Sequence, residues 1–193
     1  MANTYTTVEL SVPVDGEKKE LLTLLADQRA LMRITARGLT DEQARATPTV
    51  SALTVGGLIK HVALVERGHV TTITERDENA EFDMSEAEHG YELTDDETVA
   101  GWLDEWETIA RDYEALIAAS DLNDLIPQQT APWAPERDWL SVRTMALHLL
   151  REIAHHTGHA DIIRETIDGQ TTMGAISEGQ DWAAAWDAEE SAG

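Results

Sequence analysis

Histidine is the residue type that most clearly marks a chemical site in this sequence. The chain has seven histidines and no cysteine, so metal binding or proton transfer would depend on imidazoles and carboxylates rather than on thiolates. Four of the seven fall in one predicted helix: His148, His155, His156 and His159. Histidine is a mediocre helix former, and this density therefore favours a functional cluster over a solvated polar face with one buried histidine.

The apolar residues of that helix separate core-facing from solvent-facing positions. At about 100° per residue, one sector contains Val142, Met145, Leu149, Ile153, Ala160 and Ile163. His156 falls inside this sector and Glu152 at its edge, so they form an i, i+4 pair directed at the core or its rim. His159 lies slightly outside the sector, while His148 and His155 turn toward water.

A core-facing carboxylate at Glu152 needs a compensating charge, which a divalent cation shared with His156 would supply. His61 borders the apolar face of another predicted helix, from which it can reach inward. Two histidines and one carboxylate leave coordination positions open, as in catalytic zinc sites. We therefore predict that His61, Glu152 and His156 bind one divalent cation, with zinc the expected metal. His159 and His155 are the candidates for orienting a ligand or transferring a proton.

The sequence also contains elements of a second metal arrangement. Glu-x-x-His pairs occur at Glu66/His69, Glu86/His89 and Glu152/His155. A di-metal bundle combines two such pairs with a core-facing glutamate on each of the other two helices. On the predicted first helix Asp27 points away from the leucine stripe, and on the third Glu105, Glu107 and Glu114 flank the apolar stripe without entering it. The additional carboxylates are therefore not expected, and the mononuclear site is favoured.

Four long helices are predicted to position these side chains, with almost no strand. The first, second and fourth helices cover about 17–37, 54–70 and 142–167. The third is predicted to begin with a capping box at 94–97. Gly56 and Gly57 predict the close approach of another helix. We predict an all-α, antiparallel four-helix bundle with one long crossover between the second and third helices. Residues 1–169 are expected to form this domain and 170–193 a polar tail, in which Trp182 and Trp186 have helical spacing.

Length and charge exclude several functional classes. The 193 residues include 14 lysines and arginines and 37 aspartates and glutamates, a net charge of −23. Such a balance argues against binding to nucleic acid or to anionic membranes. Neither a signal peptide nor a membrane-spanning segment is indicated, so a cytoplasmic location is expected. The zinc-protease, phosphate-loop and serine-hydrolase motifs are missing.

Two stretches of the chain resemble the DinB-like superfamily, and more narrowly its actinobacterial mycothiol-dependent S-transferase group. They are LTVGGLIKHVALVER at 53–67 and EIAHHTGHADIIRETIDG at 152–169, supported by DGE at 15–17 and GLTDEQ at 38–43. The resemblance covers about 15–169. It implies an antiparallel four-helix bundle with zinc or nickel held by one histidine of the second helix and an i, i+4 pair of the fourth. Carried over to this chain, these ligands are His61, Glu152 and His156.

Together, the residues and the resemblance favour a metal-dependent thiol S-transferase. Mycothiol or a similar small thiol would be the cosubstrate, and its metal-bound thiolate would attack an electrophilic substrate. A non-catalytic metal-binding or small-molecule-binding protein on the same fold is the first alternative. A thiol-dependent isomerase of the maleylpyruvate type is the second, and it requires an anion-binding arginine. The candidates for that role are Arg137, Arg143, Arg151 and Arg164. The expected partners are small molecules, with a homodimer left open.

Overall fold

The computed structural model describes residues 4–84 and 89–178. Glu86 and the Trp182/Trp186 pair lie outside these residues. Six helices are described: α1 Gly16–Thr35, α2 Asp41–Arg45, α3 Val55–Glu75, α4 Val99–Ala119, α5 Val142–Asp168 and α6 Thr172–Ser177. The strands β1 Leu125–Pro127 and β2 Trp139–Ser141 form a small antiparallel sheet between α4 and α5. The prediction of an all-α helical bundle is confirmed, with this short sheet as the addition.

Side-chain caps fix most of the helix starts. The capping box at Thr40 is present, with reciprocal hydrogen bonds between Thr40 and Gln43. Ser141 caps α5 by accepting from the backbone N–H of Thr144, and Gly169, with φ of 79°, ends the same helix. A positive φ is readily adopted by glycine, so this residue stops the longest helix of the bundle.

The prediction that a capping box at Thr94 opens the third long helix is wrong. Helix α4 begins at Val99, and its N-cap is Thr98, whose hydroxyl accepts from the N–H of Gly101. The carboxylate of Glu97 does accept from the backbone N–H of Thr94 at 2.8 Å, but it also pairs with Lys60 of α3 at 2.8 Å. This local motif therefore fastens the crossover segment to α3 rather than starting a helix.

Helices α1 and α5 run in the same direction, as contacts at both of their ends indicate. Near their starts, Arg143 pairs with Glu17, with 3.0 Å between NH2 and Oε2. Near their ends, Arg164 donates to the carbonyls of Thr35 and Arg37 at 2.9 and 2.8 Å. Because Arg164 is buried, these bonds satisfy its guanidinium and join the ends of the two helices.

Helices α3 and α4 also run in the same direction. Lys60 lies beside Glu97, just before α4, whereas His69 lies beside Tyr113, far along it. The chain must therefore return along the bundle between them, which is the long crossover that the sequence predicts. The antiparallel relation holds between α3 and α5, where His61 lies near His156 and His69 near His148.

The bundle core contains a buried charge cluster that sequence reasoning did not predict. Arg29 of α1 donates to Glu66 of α3, with 3.2 Å between Nε and Oε2, and to Glu114 of α4 at 3.1 Å. Trp106 donates its indole N–H to Glu66 at 2.7 Å. Contrary to the prediction, Glu114 is buried rather than flanking the core. The arginine pairs with both carboxylates, so neither is free to complete the di-metal arrangement.

The N-terminal segment 4–14 crosses α1 and α4 and is held by buried carboxylates. Asp27 accepts from the backbone N–H groups of Tyr5 and Thr6 at 3.2 and 2.8 Å. Glu114 accepts from the N–H and the hydroxyl of Ser11 at 2.8 and 2.5 Å. Asp27 therefore points away from the leucine stripe, as predicted, but toward this segment instead of solvent. Among the described helices, none has both the length and the apolar character that crossing a membrane requires.

Candidate metal centre

The structure brings His61, Glu152 and His156 together between α3 and α5. One ligand atom from each residue lies within 4.8 Å of the others. The Nε2 atom of His156 is 3.7 Å from Oε2 of Glu152, and the ring centroids of His61 and His156 are 4.8 Å apart. Residues 152 and 156 are one turn apart on α5, so the helix itself directs both side chains toward His61. These distances are compatible with small movements that close the group around one cation.

The environment of the two histidines keeps them neutral at pH 7. Burial, and after it the neighbouring His156, lower the pKa of His61 to about 4, against the opposing effect of the Glu152 charge. Burial also lowers the pKa of His156, against the influence of Glu152. A neutral imidazole has a free lone pair for a metal. Together with one carboxylate, the donor set therefore fits a divalent metal such as zinc.

Glu152 lies at the rim of the bundle rather than in its interior. Its side chain is 22% exposed, and Oε1 lies 3.2 Å from NH2 of Arg151 and 3.5 Å from Nε2 of His148. The other oxygen, Oε2, faces His156. One oxygen is thus directed at the candidate cation position while the other contacts groups that orient the carboxylate, as is common for metal-binding carboxylates.

Tyr91 is a residue of the site that sequence reasoning missed. Its ring stacks on the imidazole of His61 with centroids 3.8 Å apart and planes 15° apart. Its hydroxyl oxygen lies 2.9 Å from Nε2 of His61, and its centroid lies 5.9 Å from that of His156. Burial, followed by the negative charge of Glu152, raises the pKa of Tyr91. The hydroxyl is therefore protonated at neutral pH.

Two glycines of α3 explain how the loop carrying Tyr91 comes so close. A Cβ at Gly57 would lie 2.7 Å from the carbonyl carbon of Tyr91 and would overlap its oxygen. At Gly56 it would lie 2.8 Å from the side chain of Leu93. Gly56 also meets α2, since its Cβ would lie 3.2 Å from the carbonyl oxygen of Ala44. The predicted close approach of another helix is therefore found at Gly56, and the crossover loop packs against both glycines as well. This glycine pair was the available signal for Tyr91.

His155 and His159 lie beside the group but outside it. His155 is exposed, and its ring centroid is 5.3 Å from that of His156 and 4.4 Å from that of His159. His159 is half-buried, and its Nδ1 lies 3.4 Å from Nδ1 of His156. His159 is therefore placed to contact the side of His156 opposite Glu152, whereas His155 faces solvent.

A second pair of histidines lies on the other side of Glu152. The rings of His69 and His148 are 5.4 Å apart, and Tyr113 lies 6.4 Å from His69. His148 is only partly exposed, which differs from its predicted turn toward water. Burial lowers the pKa of His69 to about 4. This pair therefore supplies neutral polar groups behind Glu152 and not a further cationic site.

Three of the four candidate anion-binding arginines are engaged elsewhere. Arg143 pairs with Glu17, Arg164 binds helix-end carbonyls and Asp168, and Arg137 donates to the carbonyls of Gln128 and Ala80. Arg151 extends toward solvent with its side chain 68% exposed while touching Glu152. Of the four, only Arg151 adjoins the site, which weakens the case for a maleylpyruvate-type isomerase.

Comparison with known proteins identifies one matching family. A family model described as mycothiol-S-transferase matches residues 20–169, a range that contains every residue of the site. Neither curated proteins nor solved structures give a significant match to the chain.

Proposed function

The chain belongs to the mycothiol-S-transferase family, and we propose that it is a metal-dependent enzyme that joins mycothiol, or a similar small thiol, through its sulfur to an electrophilic substrate. Family membership confirms the resemblance found in the sequence and supports a thiol cosubstrate. The metal and the mechanism are part of the proposal.

One observation carries the metal dependence: His61, Glu152 and His156 converge with their ligand atoms within 4.8 Å. Three protein ligands leave at least one coordination position open, which is the pattern of a catalytic zinc site and not of a closed structural one. Zinc is the proposed metal and nickel the second choice. Two neutral imidazoles and one carboxylate around a divalent cation give a net charge of +1, which attracts an anionic sulfur.

A divalent metal in this site would supply one chemical function, the stabilisation of a bound thiol as thiolate, the nucleophilic form. The remaining work belongs to the chain's own groups. Glu152 is held by Arg151 and His148, so its free oxygen keeps a fixed direction. We propose that His159, which contacts His156, orients that ligand, and that exposed His155 is available as a proton carrier. In the transfer itself, a sulfur–carbon bond forms and the leaving group departs with its electron pair.

The experiment that tests this function is a thiol-transfer assay on zinc-loaded protein with mycothiol and the generic electrophile 1-chloro-2,4-dinitrobenzene, followed by thioether formation. We expect zinc-dependent turnover that is lost in Glu152→Gln. The control variant Glu92→Gln changes an exposed carboxylate of the crossover loop and should keep this turnover. Bound metal without turnover would favour the non-catalytic binding protein instead. A cytoplasmic location and a homodimer remain predictions.

A further inference from the structure

The phenol of Tyr91 lies over the face of His61 and not in the plane of its ring. The two planes are 15° apart with centroids separated by 3.8 Å, and the hydroxyl oxygen is 2.9 Å from Nε2. An imidazole nitrogen gives its lone pair within the ring plane, so the phenol leaves that direction open. The hydroxyl therefore lies beside the position that a cation on Nε2 would take.

The loop around Tyr91 is held in place from several sides. Its backbone fits against Gly57, one turn before His61 on α3. Two residues later Leu93 is buried in the core, and Arg45 donates to the carbonyls of Leu93 and Thr94 at 3.1 and 2.9 Å. Such anchoring restricts the movement of the phenol. It indicates that the fold holds Tyr91 in a defined position beside His61, which a loosely attached surface side chain would not keep.

A cation on His61 changes what the hydroxyl can bond to. The Tyr91 hydroxyl oxygen lies 2.9 Å from Nε2 of His61, and ligand atoms of His61, Glu152 and His156 lie within 4.8 Å of one another. A cation bound to the imidazole withdraws electron density from the ring and makes it a poorer acceptor for the O–H that lies over its face. The hydroxyl then needs another acceptor, and a thiol bound to a cation held by these three residues would bring its sulfur close to it.

We propose that Tyr91 donates its O–H to the sulfur of the thiol cosubstrate in the open coordination position, and thereby fixes the orientation of that thiol. This inference rests on the proposed function. It makes Tyr91 a substrate-contacting residue, separate from the three metal ligands. A neutral phenol donating to an anionic sulfur is a charge-assisted hydrogen bond, which is stronger than a bond between neutral groups.

The test is a thiol titration of cobalt-loaded protein, in which sulfur binding to Co²⁺ changes the visible and near-ultraviolet absorption without any turnover. Mycothiol is the probe, the variant is Tyr91→Phe, and the matched control is Tyr5→Phe, which removes the hydroxyl of an exposed tyrosine in the N-terminal segment. Tyr91→Phe should weaken mycothiol binding about tenfold and leave the affinity for Co²⁺ within about twofold. The Tyr5→Phe protein should match the wild type.

The other outcomes are each decisive. Equal mycothiol affinity in Tyr91→Phe and wild type would overturn the role of Tyr91 and leave the proposed function intact. Loss of Co²⁺ affinity in Tyr91→Phe would overturn it as well, because the phenol would then be a metal ligand. If cobalt-loaded wild type shows no mycothiol-dependent absorption change, the proposed function fails, and this inference fails with it.

Discussion

Replacing His156 by alanine removes one of three predicted metal ligands and should abolish tight metal binding. The side chain is only 9% exposed and faces Glu152 with Nε2. In the variant, only His61 and Glu152 remain to hold the cation. Because burial keeps His156 neutral at pH 7, its lone pair is available in the wild type, and its loss is a full ligand loss.

The neighbouring histidines provide matched controls on the same helix. His159 contacts His156 at 3.4 Å without joining the convergent group, and losing such an outer contact typically costs about 10–100-fold in metal affinity. His155 is exposed, so His155→Ala should change the metal affinity by less than about threefold, which is smaller than the loss expected for an outer contact of a ligand. The expected order of loss is therefore His156, then His159, then His155, with the loss at His156 exceeding about 100-fold.

The assay is competition of each variant with a chromophoric chelator for Zn²⁺, combined with elemental analysis of the purified proteins. Circular dichroism shows whether each variant keeps its helices, so that a folding defect is not read as a ligand effect. If His155→Ala is metal-free while His156→Ala stays loaded, the Glu152/His156 pairing is refuted and a His155/His159 pairing replaces it.

Three further predictions concern stability, each measured by urea unfolding. Arg29→Ala leaves two buried carboxylates without their cation and should lower the free energy of unfolding by about 3–5 kcal/mol; a loss below about 1 kcal/mol would contradict the buried cluster. Gly57→Ala forces a Cβ against a loop carbonyl and should lower the free energy of unfolding by about 1–3 kcal/mol. The control is Gly68→Ala, where a Cβ meets no atom within 4 Å, and it should raise the free energy of unfolding by about 0.5–1 kcal/mol. The pKa of His69 is lowered from 6.5 to about 4 in the folded protein, so the unfolded chain binds the proton more readily. His69 therefore contributes stability above about pH 6.5 that is lost as the pH falls toward 4. In metal-free protein, His69→Gln should reduce the decrease in the free energy of unfolding between pH 7 and 5, and an unchanged decrease would exclude His69 as its cause.

The sequence was sufficient to predict the four long helices and the phase of the longest one, but not the short helix α6 in the segment predicted as a polar tail. Capping chemistry is local, so the box at Thr40 and the stop at Gly169 could be read from neighbouring residues alone. The phase of α5 depends only on its own apolar positions, and it placed Glu152 and His156 on the side that faces α3. The error at Thr94 has a physical cause: Glu97 pairs with Lys60 and Arg45 donates to the carbonyl of Thr94. These contacts fasten the turn to neighbouring helices, and α4 begins only after the cap at Thr98.

The residues that sequence reasoning missed are those whose roles depend on distant packing. Tyr91 lies on a loop thirty positions from His61, and no periodicity connects the two. Glu114 is acidic and at the edge of an apolar stripe, so the sequence predicts exposure. It is buried because Arg29, itself in the middle of a leucine-rich helix, supplies a partner there. Such pairing across helices cannot be read from either helix alone.

The most direct test of the metal site and its thiol is a crystal structure of the zinc-loaded protein soaked with mycothiol, with anomalous scattering recorded at the zinc edge. We expect one zinc peak bound by His61, Glu152 and His156, with nitrogens at about 2.0–2.1 Å and the mycothiol sulfur at about 2.3 Å. A zinc peak on His155 and His159, or mycothiol bound with its sulfur away from the zinc, would contradict it.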